Sequence, residues 1–194
     1  HGIRVAKQVE QFRKLIHELG IPVVTTQLAN DLLPFNDDFY IGKVGLRGDR
    51  AGNFAVQSAD LIITLGSSLH VTTTGYEIDS FAPKAKKIVV DLDDAVLEKN
   101  KSISDIQLKC DVATFISELR SNSHTLNVNV WLGRLNKWKE NFRIINEPHE
   151  RLNDEINTYH LINVLSESLT GDEVLITDSG SLYYIMGQAF TSKP

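Results

Sequence analysis

Residues 42–93 read GKVGLRGDRAGNFAVQSADLIITLGSSLHVTTTGYEIDSFAPKAKKIVVDLD. The segment opens with three glycines spaced three residues apart, and a fourth glycine lies at the start of a helix-like stretch. Two apolar strands follow, at 61–66 and 86–93, with a polar loop between them. Glycine lets a backbone approach a ligand closely, and open parallel sheets bind ligands in loops at the ends of buried strands. The segment therefore predicts a nucleotide-type α/β domain.

The residues before this segment predict a helix, a strand and a loop. Apolar residues recur at helical spacing over 3–19, and Gly20 is typical of a helix C-terminus. The sequence IPVVTT (21–26) is continuously apolar at its centre, which is typical of a strand covered on both faces. Residues 27–41 contain Pro34 and several turn-forming residues, so they are predicted to be mostly loop.

Helix and strand patterns continue to alternate as far as residue 120. The further predicted elements are a helix at 53–59, strands at 61–66 and 86–93, a loop at 71–83, a helical turn at 94–99, an edge strand at 104–110 and a helix at 112–120 capped by Asp111. This order predicts a Rossmann-like (flavodoxin/DHS-like) parallel α/β sheet flanked by helices, with a partial second α/β domain after it. A doubly wound domain usually opens on a strand, so we expect a first strand to precede residue 1.

Composition and charge exclude several classes of function. No apolar run approaches the roughly 18 residues that span a bilayer, so we expect no membrane partner. The net charge is −5 and the 20 basic residues are scattered, which argues against nucleic acid as a partner. Cys110 is the only cysteine, so the chain can form no internal disulfide, and a cytoplasmic location is expected. We expect an inert thiol at the end of a strand.

The composition changes after Arg120. Aromatic and apolar residues from Trp131 to Phe142 recur at helical spacing, and the pattern breaks at Pro148. A second amphipathic helix is predicted at 157–170. The sequence VLITDSGSLYY then predicts a strand at 174–177, a polar glycine turn and the start of a helix. A single βα unit cannot complete a domain, so we expect this second domain to continue past residue 194.

The spaced pattern GxxGxxG…ADLIITLGSSL…TG…FAP-AK-I-VDLD…KN resembles the central domain of thiamine-diphosphate enzymes of the acetolactate synthase type. The resemblance continues through the two tryptophans to VLITDSGSLYYIMGQAF. It implies three parts: 1–120 is a central domain without its first strand, 121–152 is a linker with a helix, and 153–194 is the truncated start of the diphosphate-binding domain.

The resemblance also implies the chemistry of the whole protein. Such enzymes are 2-oxo acid carboligases or decarboxylases, use thiamine diphosphate and Mg²⁺, and act as homodimers or homotetramers. Their activating glutamate and their GDG…N metal motif are not found in these residues, since 171–173 reads GDE. We therefore expect a scaffold with no catalytic residue and no metal ligand, which is inactive as a fragment.

Two loops are candidates for cofactor contact in the parent enzyme. By the resemblance, Asp178, Ser179, Gly180 and Ser181 lie against the cofactor diphosphate; alternatively, Asp178 or Ser179 caps a helix. A structural FAD would contact Arg47, Gly48, Asn53, Gly66, Ser67, Thr74 and Gly75. However, 68–72 reads SLHVT where the family has an Arg-Phe-Asp-Asp-Arg run, so FAD is doubtful. In the alternative without FAD, the glycines serve tight packing.

Functions from other classes remain open at this point. A stand-alone Rossmann-like module that binds FAD or NAD would need a complete first βα turn and an acidic residue at the end of its second strand. The strand IPVVTT ends without an acid, which argues against this alternative. No histidines have metal-ligand spacing, so a zinc site is not expected. A non-catalytic, oligomer-forming domain is the third alternative.

Overall fold

The computed structural model describes residues 1–122, 125–145 and 155–193. Its helices are α1 (Gly2–Val5), α2 (Val9–Leu19), α3 (Arg50–Ser58), α4 (Val71–Thr74), α5 (Asp94–Lys99), α6 (Val112–Asn122), α7 (Asn129–Asn141), α8 (Thr158–Ser168) and α9 (Ser181–Ala189). Its strands are β1 (Val23–Thr25), β2 (Tyr40–Lys43), β3 (Leu61–Leu65), β4 (Lys86–Asp91) and β5 (Ile106–Lys109). Short 3₁₀ turns occur at Gln27–Ala29 and Ile78–Ser80.

The strands pair in parallel throughout, as the αβ alternation predicted. β1 pairs with β2, and β3, β4 and β5 pair in that order. Val89 and Val90 of β4 are both completely buried. Because successive side chains of a strand point to opposite faces, β4 is covered on both of its faces. The predicted Rossmann-like parallel α/β fold is confirmed, with β5 at the edge of its sheet as expected.

Helices supply most of the apolar contacts around the strands. One buried cluster contains Phe12, Leu15 and Ile16 of α2 together with Ile116 of α6. A second cluster joins Val89 of β4 to side chains from α3, α5 and the segment before β4. Asp111 caps α6 as predicted, since its carboxylate accepts the Ala113 N–H at 2.7 Å.

The predicted helix over 3–19 is broken in the structure. α1 ends at Val5 and α2 begins at Val9, with Lys7 at φ 56° between them. The Gly2 N–H donates to the Gly66 carbonyl at 3.0 Å, which ties α1 to the end of β3. This long-range bond fixes the start of the chain, so the apolar periodicity does not continue as one helix.

The sequence analysis missed β2 and assigned its first two residues to a loop. Every residue of this strand is buried, although Gly42 and Lys43 are of types that strands usually disfavour. Similarly, 71–83 contains α4 and a 3₁₀ turn where only loop was predicted. Both segments depend on contacts with distant parts of the chain.

The helix predicted around the tryptophans is α7, and it packs on the first part of the chain. Leu135 is completely buried in a cluster with Ile41 of β2 and with Ala51 and Ala55 of α3. Lys139 donates to the Phe35 and Tyr40 carbonyls at 2.9 and 2.8 Å. The predicted break at Pro148 lies outside the described residues.

The strand predicted at 174–177 does not form. These residues belong to no helix or strand, and Val174 and Ile176 are 86% and 91% exposed. A strand needs a neighbour for its backbone groups, and no such neighbour occurs beside it in the described residues. The helices predicted on either side do form, as α8 and α9, and they pack against each other. None of the described helices is long and apolar enough to cross a bilayer.

Truncation of Val89 tests the importance of the central strand. Val89→Ala should lower the free energy of unfolding by about 2–3 kcal/mol, because it leaves a cavity in a fully buried position. Val130, which is 89% exposed on α7, provides the matched control. Val130→Ala should change stability by less than about 0.5 kcal/mol in urea unfolding. Equal losses in the two variants would contradict the burial of β4.

Candidate functional site

Two loops meet at the carboxyl ends of the strands. The glycine loop (44–49) follows β2, and the segment 66–75 follows β3. The Leu46 N–H donates to the Thr72 carbonyl at 2.8 Å, which joins the two segments directly. The structure thus brings together the residues predicted to contact FAD, and it does so at the edge where parallel α/β sheets bind ligands.

The backbone donors of the glycine loop are used within the protein. The Gly45 N–H donates to the Asn53 side-chain oxygen at 2.9 Å, and the Asn53 amide donates back to the Gly45 carbonyl at 3.0 Å. Gly48 donates to the Gly45 carbonyl at 3.0 Å, and Asp49 to the Lys43 carbonyl at 2.8 Å. A loop that holds a phosphate must direct free N–H groups at it. These N–H groups are therefore already hydrogen-bonded within the protein, whereas a phosphate-binding loop would need them free.

The glycines of this loop permit close contact between backbones. Gly45 has φ 122°, and a Cβ at this position would overlap the Thr72 carbonyl. Cβ atoms at Gly48 and Gly52 would each overlap the Lys43 carbonyl. A side chain at any of these positions would force the loop, β2 or the 66–75 segment apart.

Internal bonds also hold the 66–75 segment. The Gly66 N–H donates to the Val90 carbonyl at 3.0 Å. The Ser68 carbonyl accepts from the Lys99 ammonium at 2.8 Å. His70 is the N-cap of α4, since its Nδ1 accepts the Thr72 N–H at 3.3 Å. Of the other residues predicted to contact FAD in this segment, Ser67, Thr74 and Gly75 are half-buried.

The side chain of Arg47 points to α9. Its guanidinium lies 3.2 Å from the centre of the Tyr184 ring, a cation–π contact. The Gln188 amide donates to the Arg47 carbonyl at 3.1 Å. Arg47 is one of the residues predicted to contact FAD, and in the structure its guanidinium lies against a ring of α9.

Sequence reasoning missed a buried pair of charges beneath the glycine loop. Lys43 is 2% and Asp49 7% exposed. One carboxylate oxygen of Asp49 accepts the Lys43 N–H at 2.9 Å, while the other is buried without a hydrogen-bond partner. The Lys43 ammonium donates to the Gln188 carbonyl at 3.3 Å. Burial raises the pKa of Asp49 and lowers the pKa of Lys43. In the sequence, only the position of Asp49 just before α3 could have indicated this buried pair.

The turn from Asp178 to Ser181 leads into α9. All four residues are exposed, and the Ser179 N–H donates to the Asp178 carboxylate at 2.6 Å. α9 starts with Gly180 as its N-cap and with no side-chain cap, so capping by Asp178 or Ser179 is wrong. The contacts of α9 with the glycine loop come from Tyr184, one turn into the helix, and from Gln188, near its C-terminal end.

Cys110 and the described histidines belong to no group of metal ligands in the part of the chain that the structure describes. Within the described residues, no three His, Cys, Asp or Glu side chains group closely enough to hold a metal ion. Cys110 follows β5 as predicted, and burial raises the pKa of its thiol. This disfavours the reactive thiolate. His124 and His149 lie outside the described residues.

Comparison with known proteins gives consistent matches over nearly the whole chain. Acetolactate synthase 1, chloroplastic, from Zea mays is 29% identical over 189 residues, which are 95% of this chain and 29% of that protein. The acetolactate synthase large subunit of Lactococcus lactis subsp. lactis is 31% identical over 196 residues, or 99% and 33%. The acetolactate synthase of Mycobacterium bovis is 31% identical over 185 residues, or 92% and 29%.

The chain spans about a third of the length of these curated relatives. Residues 1–119 match the family model described as "Thiamine pyrophosphate enzyme, central domain". This range holds all five strands and the glycine loop. The chain therefore belongs to the thiamine pyrophosphate enzyme family, with its first 119 residues matching the central domain of that family.

Proposed function

We propose that this chain is a scaffold portion of a thiamine-diphosphate-dependent 2-oxo acid carboligase or decarboxylase that resembles acetolactate synthase. The match of residues 1–119 to the central domain carries this proposal. The whole protein would act on a 2-oxo acid as a homo-oligomer in the cytoplasm. The 194 residues alone would not turn over such a substrate, since the described residues contain no group of metal ligands.

The described residues offer only part of a thiamine diphosphate site. The first N–H groups of α9 carry no side-chain cap, and Gly180 at φ 111° opens the turn before them. Free N–H groups at a helix N-terminus are suited to phosphate oxygens. We propose that Asp178, Ser179, Gly180 and Ser181 border the diphosphate in the parent enzyme. Among the described residues there is no group of ligands for a metal that would bind the other side of the diphosphate. The fit of these residues to thiamine diphosphate is therefore incomplete.

The glycine loop is better suited to packing than to FAD. Its donors at Gly45, Gly48 and Asp49 are all engaged, and Arg47 stacks on Tyr184. We propose that the loop holds β2, α3 and the 66–75 segment at fixed distances. The predicted contacts of FAD with Arg47, Gly48 and Asn53 would require this network to open.

The catalytic proposal is tested by assay of the purified chain with pyruvate, thiamine diphosphate and Mg²⁺. We expect CO₂ release and acetolactate formation no faster than in the protein-free control, because the described residues contain no group of three or more His, Cys, Asp or Glu side chains that could hold Mg²⁺. The acetolactate synthase of Lactococcus lactis is the positive control. Turnover by the chain that is saturable in pyruvate would overturn the scaffold assignment.

Absorbance and fluorescence of the purified protein test the proposal for the glycine loop. We expect no visible flavin band and no quenching of added FAD. If flavin binds through the predicted residues, Arg47→Ala should release it, whereas Arg134→Ala on the exposed side of α7 should not. Bound flavin that is lost only in Arg47→Ala would show that the loop opens around a dinucleotide.

The pH dependence of stability tests the buried charges under the loop. The pKa of Asp49 is raised above its ordinary 3.8 by burial, so the folded state favours the protonated carboxyl. The protonated Asp49 carboxyl therefore contributes to the stability of the folded state below pH 3.8. This contribution is lost as the pH rises through the raised pKa. Asp49→Asn removes this titration.

Thermal melting from pH 3 upward should show the wild type losing stability relative to Asp49→Asn as pH rises through that range. A constant difference in melting temperature caused by the new amide does not affect the test. The test compares how the melting temperatures of the two proteins change with pH. Val130→Ala, at an exposed position without a titrating group, should run parallel to the wild type. Parallel curves for all three proteins would show that Asp49 is not held in a desolvated environment.

A further inference from the structure

A polar cavity of about 580 Å³ lies where α7, α8 and α9 meet the loop before β2. Its lining combines residues 35–38 of that loop, one face of α7 and the residues after it, Asn163 of α8 and the C-terminal part of α9. Among the described residues that line it, none belongs to the glycine loop or to the turn 178–181. Volumes of about 300–1,000 Å³ are typical of sites for small molecules. The cavity is therefore large enough for a ligand other than the cofactors considered above.

Charged side chains of both signs line this cavity. Lys139, Glu140 and Arg143 come from α7 and the residues after it. Asp37 and Asp38 come from the loop before β2, and both lie close enough to act electrostatically on Lys139. A ligand with a net charge of either sign would therefore meet groups of like charge beside groups of opposite charge. This arrangement favours a neutral ligand.

Two of these charged groups hold the walls of the cavity together. The Lys139 ammonium donates to the carbonyls of Phe35 and Tyr40 at 2.9 and 2.8 Å, which joins α7 to the loop before β2. The Asp37 carboxylate is 9% exposed and lies 2.9 Å from His17 Nε2, which joins the same loop to α2. Both groups therefore stabilise the walls, and ligand contacts are expected from the other polar side chains.

Several polar side chains of the cavity are available for a ligand. The side chains of Asp38, Asn136 and Arg143 have no hydrogen bond or ion pair with any part of the chain that the structure describes. The side chains of Asn36 and Glu140 likewise have none within the described residues. Together these side chains offer carboxylate acceptors, a guanidinium donor and amides that both donate and accept. A hydroxyl group also donates and accepts, so it can pair with every one of them.

Apolar groups complete the lining of the cavity. Phe35 and Ile145 lie on its wall, as do Ile144 and Ala189. The Phe35 ring meets the Tyr40 ring edge-on, with the ring centroids 6.5 Å apart, and this packing holds it in place. A ligand that fits both kinds of lining has hydroxyl groups around its rim and apolar C–H groups on its faces. Sugars have this combination.

We propose that this cavity binds a neutral sugar with one or two rings. Its hydroxyl groups pair with Asp38, Asn136 and Arg143, and a C–H face of its ring packs on Phe35. Bound in this way, the sugar joins the loop before β2 to α7 and the residues after it. Such binding does not depend on the scaffold function proposed above.

A zwitterion such as L-alanine is also neutral overall, but the charges of the cavity suit it less well. A zwitterion has a positive and a negative end, so its site needs a separate region of each sign. Glu140 lies between Lys139 and Arg143 along the chain, so these two cations form no region of their own. The cavity therefore favours hydroxyl groups over charged ends, and L-alanine is the competing probe.

The test follows amide chemical shifts of the ¹⁵N-labelled 194-residue protein during titration with D-glucose, D-galactose, D-mannose and N-acetyl-D-glucosamine, each alone. At least one of these sugars should give saturable shifts at the side-chain amide of Asn136 and at the backbone amides of Asp38 and Lys139. We expect a Kd on the order of 1 mM, since the ligand is small. Val89, in the buried strand β4, should not shift. The absence of saturable shifts with all of these sugars would overturn the proposal.

Charged analogues of the sugar that binds test the inference of a neutral ligand. The corresponding amino sugar is a cation, and the corresponding uronate is an anion. Each should bind at least about fivefold more weakly than the neutral sugar, because each meets groups of like charge. Equal or tighter binding of either analogue would contradict a neutral ligand. Saturable shifts with L-alanine but not with the sugars would indicate a zwitterion site and overturn the proposal.

Two asparagines of α7 provide a matched pair of variants. Asn136 lines the cavity, whereas Asn141 is exposed and lies outside the lining. Asn136→Ala should weaken sugar binding about fivefold, which corresponds to the loss of one hydrogen bond, and Asn141→Ala should leave the Kd unchanged. If Asn136→Ala lowers the midpoint of urea unfolding, Arg143→Gln, at an exposed position, replaces it with the same expectation. Equal affinities in the wild type and in the variants of the lining would place any bound sugar elsewhere and overturn the proposal.

Discussion

A parallel strand must pair its backbone groups on both edges or leave them without partners, and this constraint explains much of the molecule. β4 pairs on both edges, and Val89 and Val90 are completely buried. Among the described residues, β3 pairs with β4 alone, and Leu61 remains 48% exposed. Residues 174–177 have a strand-like sequence, but no strand pairs with them in the part of the chain that the structure describes, and Val174 and Ile176 stay exposed. Apolar composition alone therefore does not make a strand; a ladder partner is also required.

The sequence predicted those elements whose signals are local. β3 and β4 are apolar runs between turns, and α6 follows a capping aspartate, so neighbouring residues are enough to identify them. β2 could not be recognised in this way. Its Lys43 is buried because Asp49 and Gln188 surround it, and the second of these lies 145 residues away. The break after α1 likewise depends on the bond from Gly2 to Gly66.

The sequence predicted where the glycine loop lies but not the hydrogen bonds that hold it. Spaced glycines correctly indicated a loop at the carboxyl edge of the sheet. A close ligand and a close backbone both require the absence of a Cβ, so spacing cannot distinguish them. The two cases differ in the partners of the loop's N–H groups. Here the Asn53 side chain bonds to both the N–H and the carbonyl of Gly45. An amide side chain eight residues after a glycine was visible in the sequence, but its pairing depends on the turn into α3.

Close packing in the glycine loop also affects the turn before α9, which we propose borders the diphosphate. The Gly45–Asn53 bonds hold the backbone around Arg47, whose carbonyl and guanidinium meet Gln188 and Tyr184 of α9. Lys43 adds a third contact to the same helix, since its ammonium donates to the Gln188 carbonyl. α9 is thus fixed at Tyr184, one turn from its start, and at Gln188, near its C-terminal end, while the residues before it form the turn that we propose borders the diphosphate. A helix moves as a rigid unit, so a loop that binds no ligand can still orient a turn that does. On this argument, a substitution at Gly45 would act on the cofactor through the direction of α9.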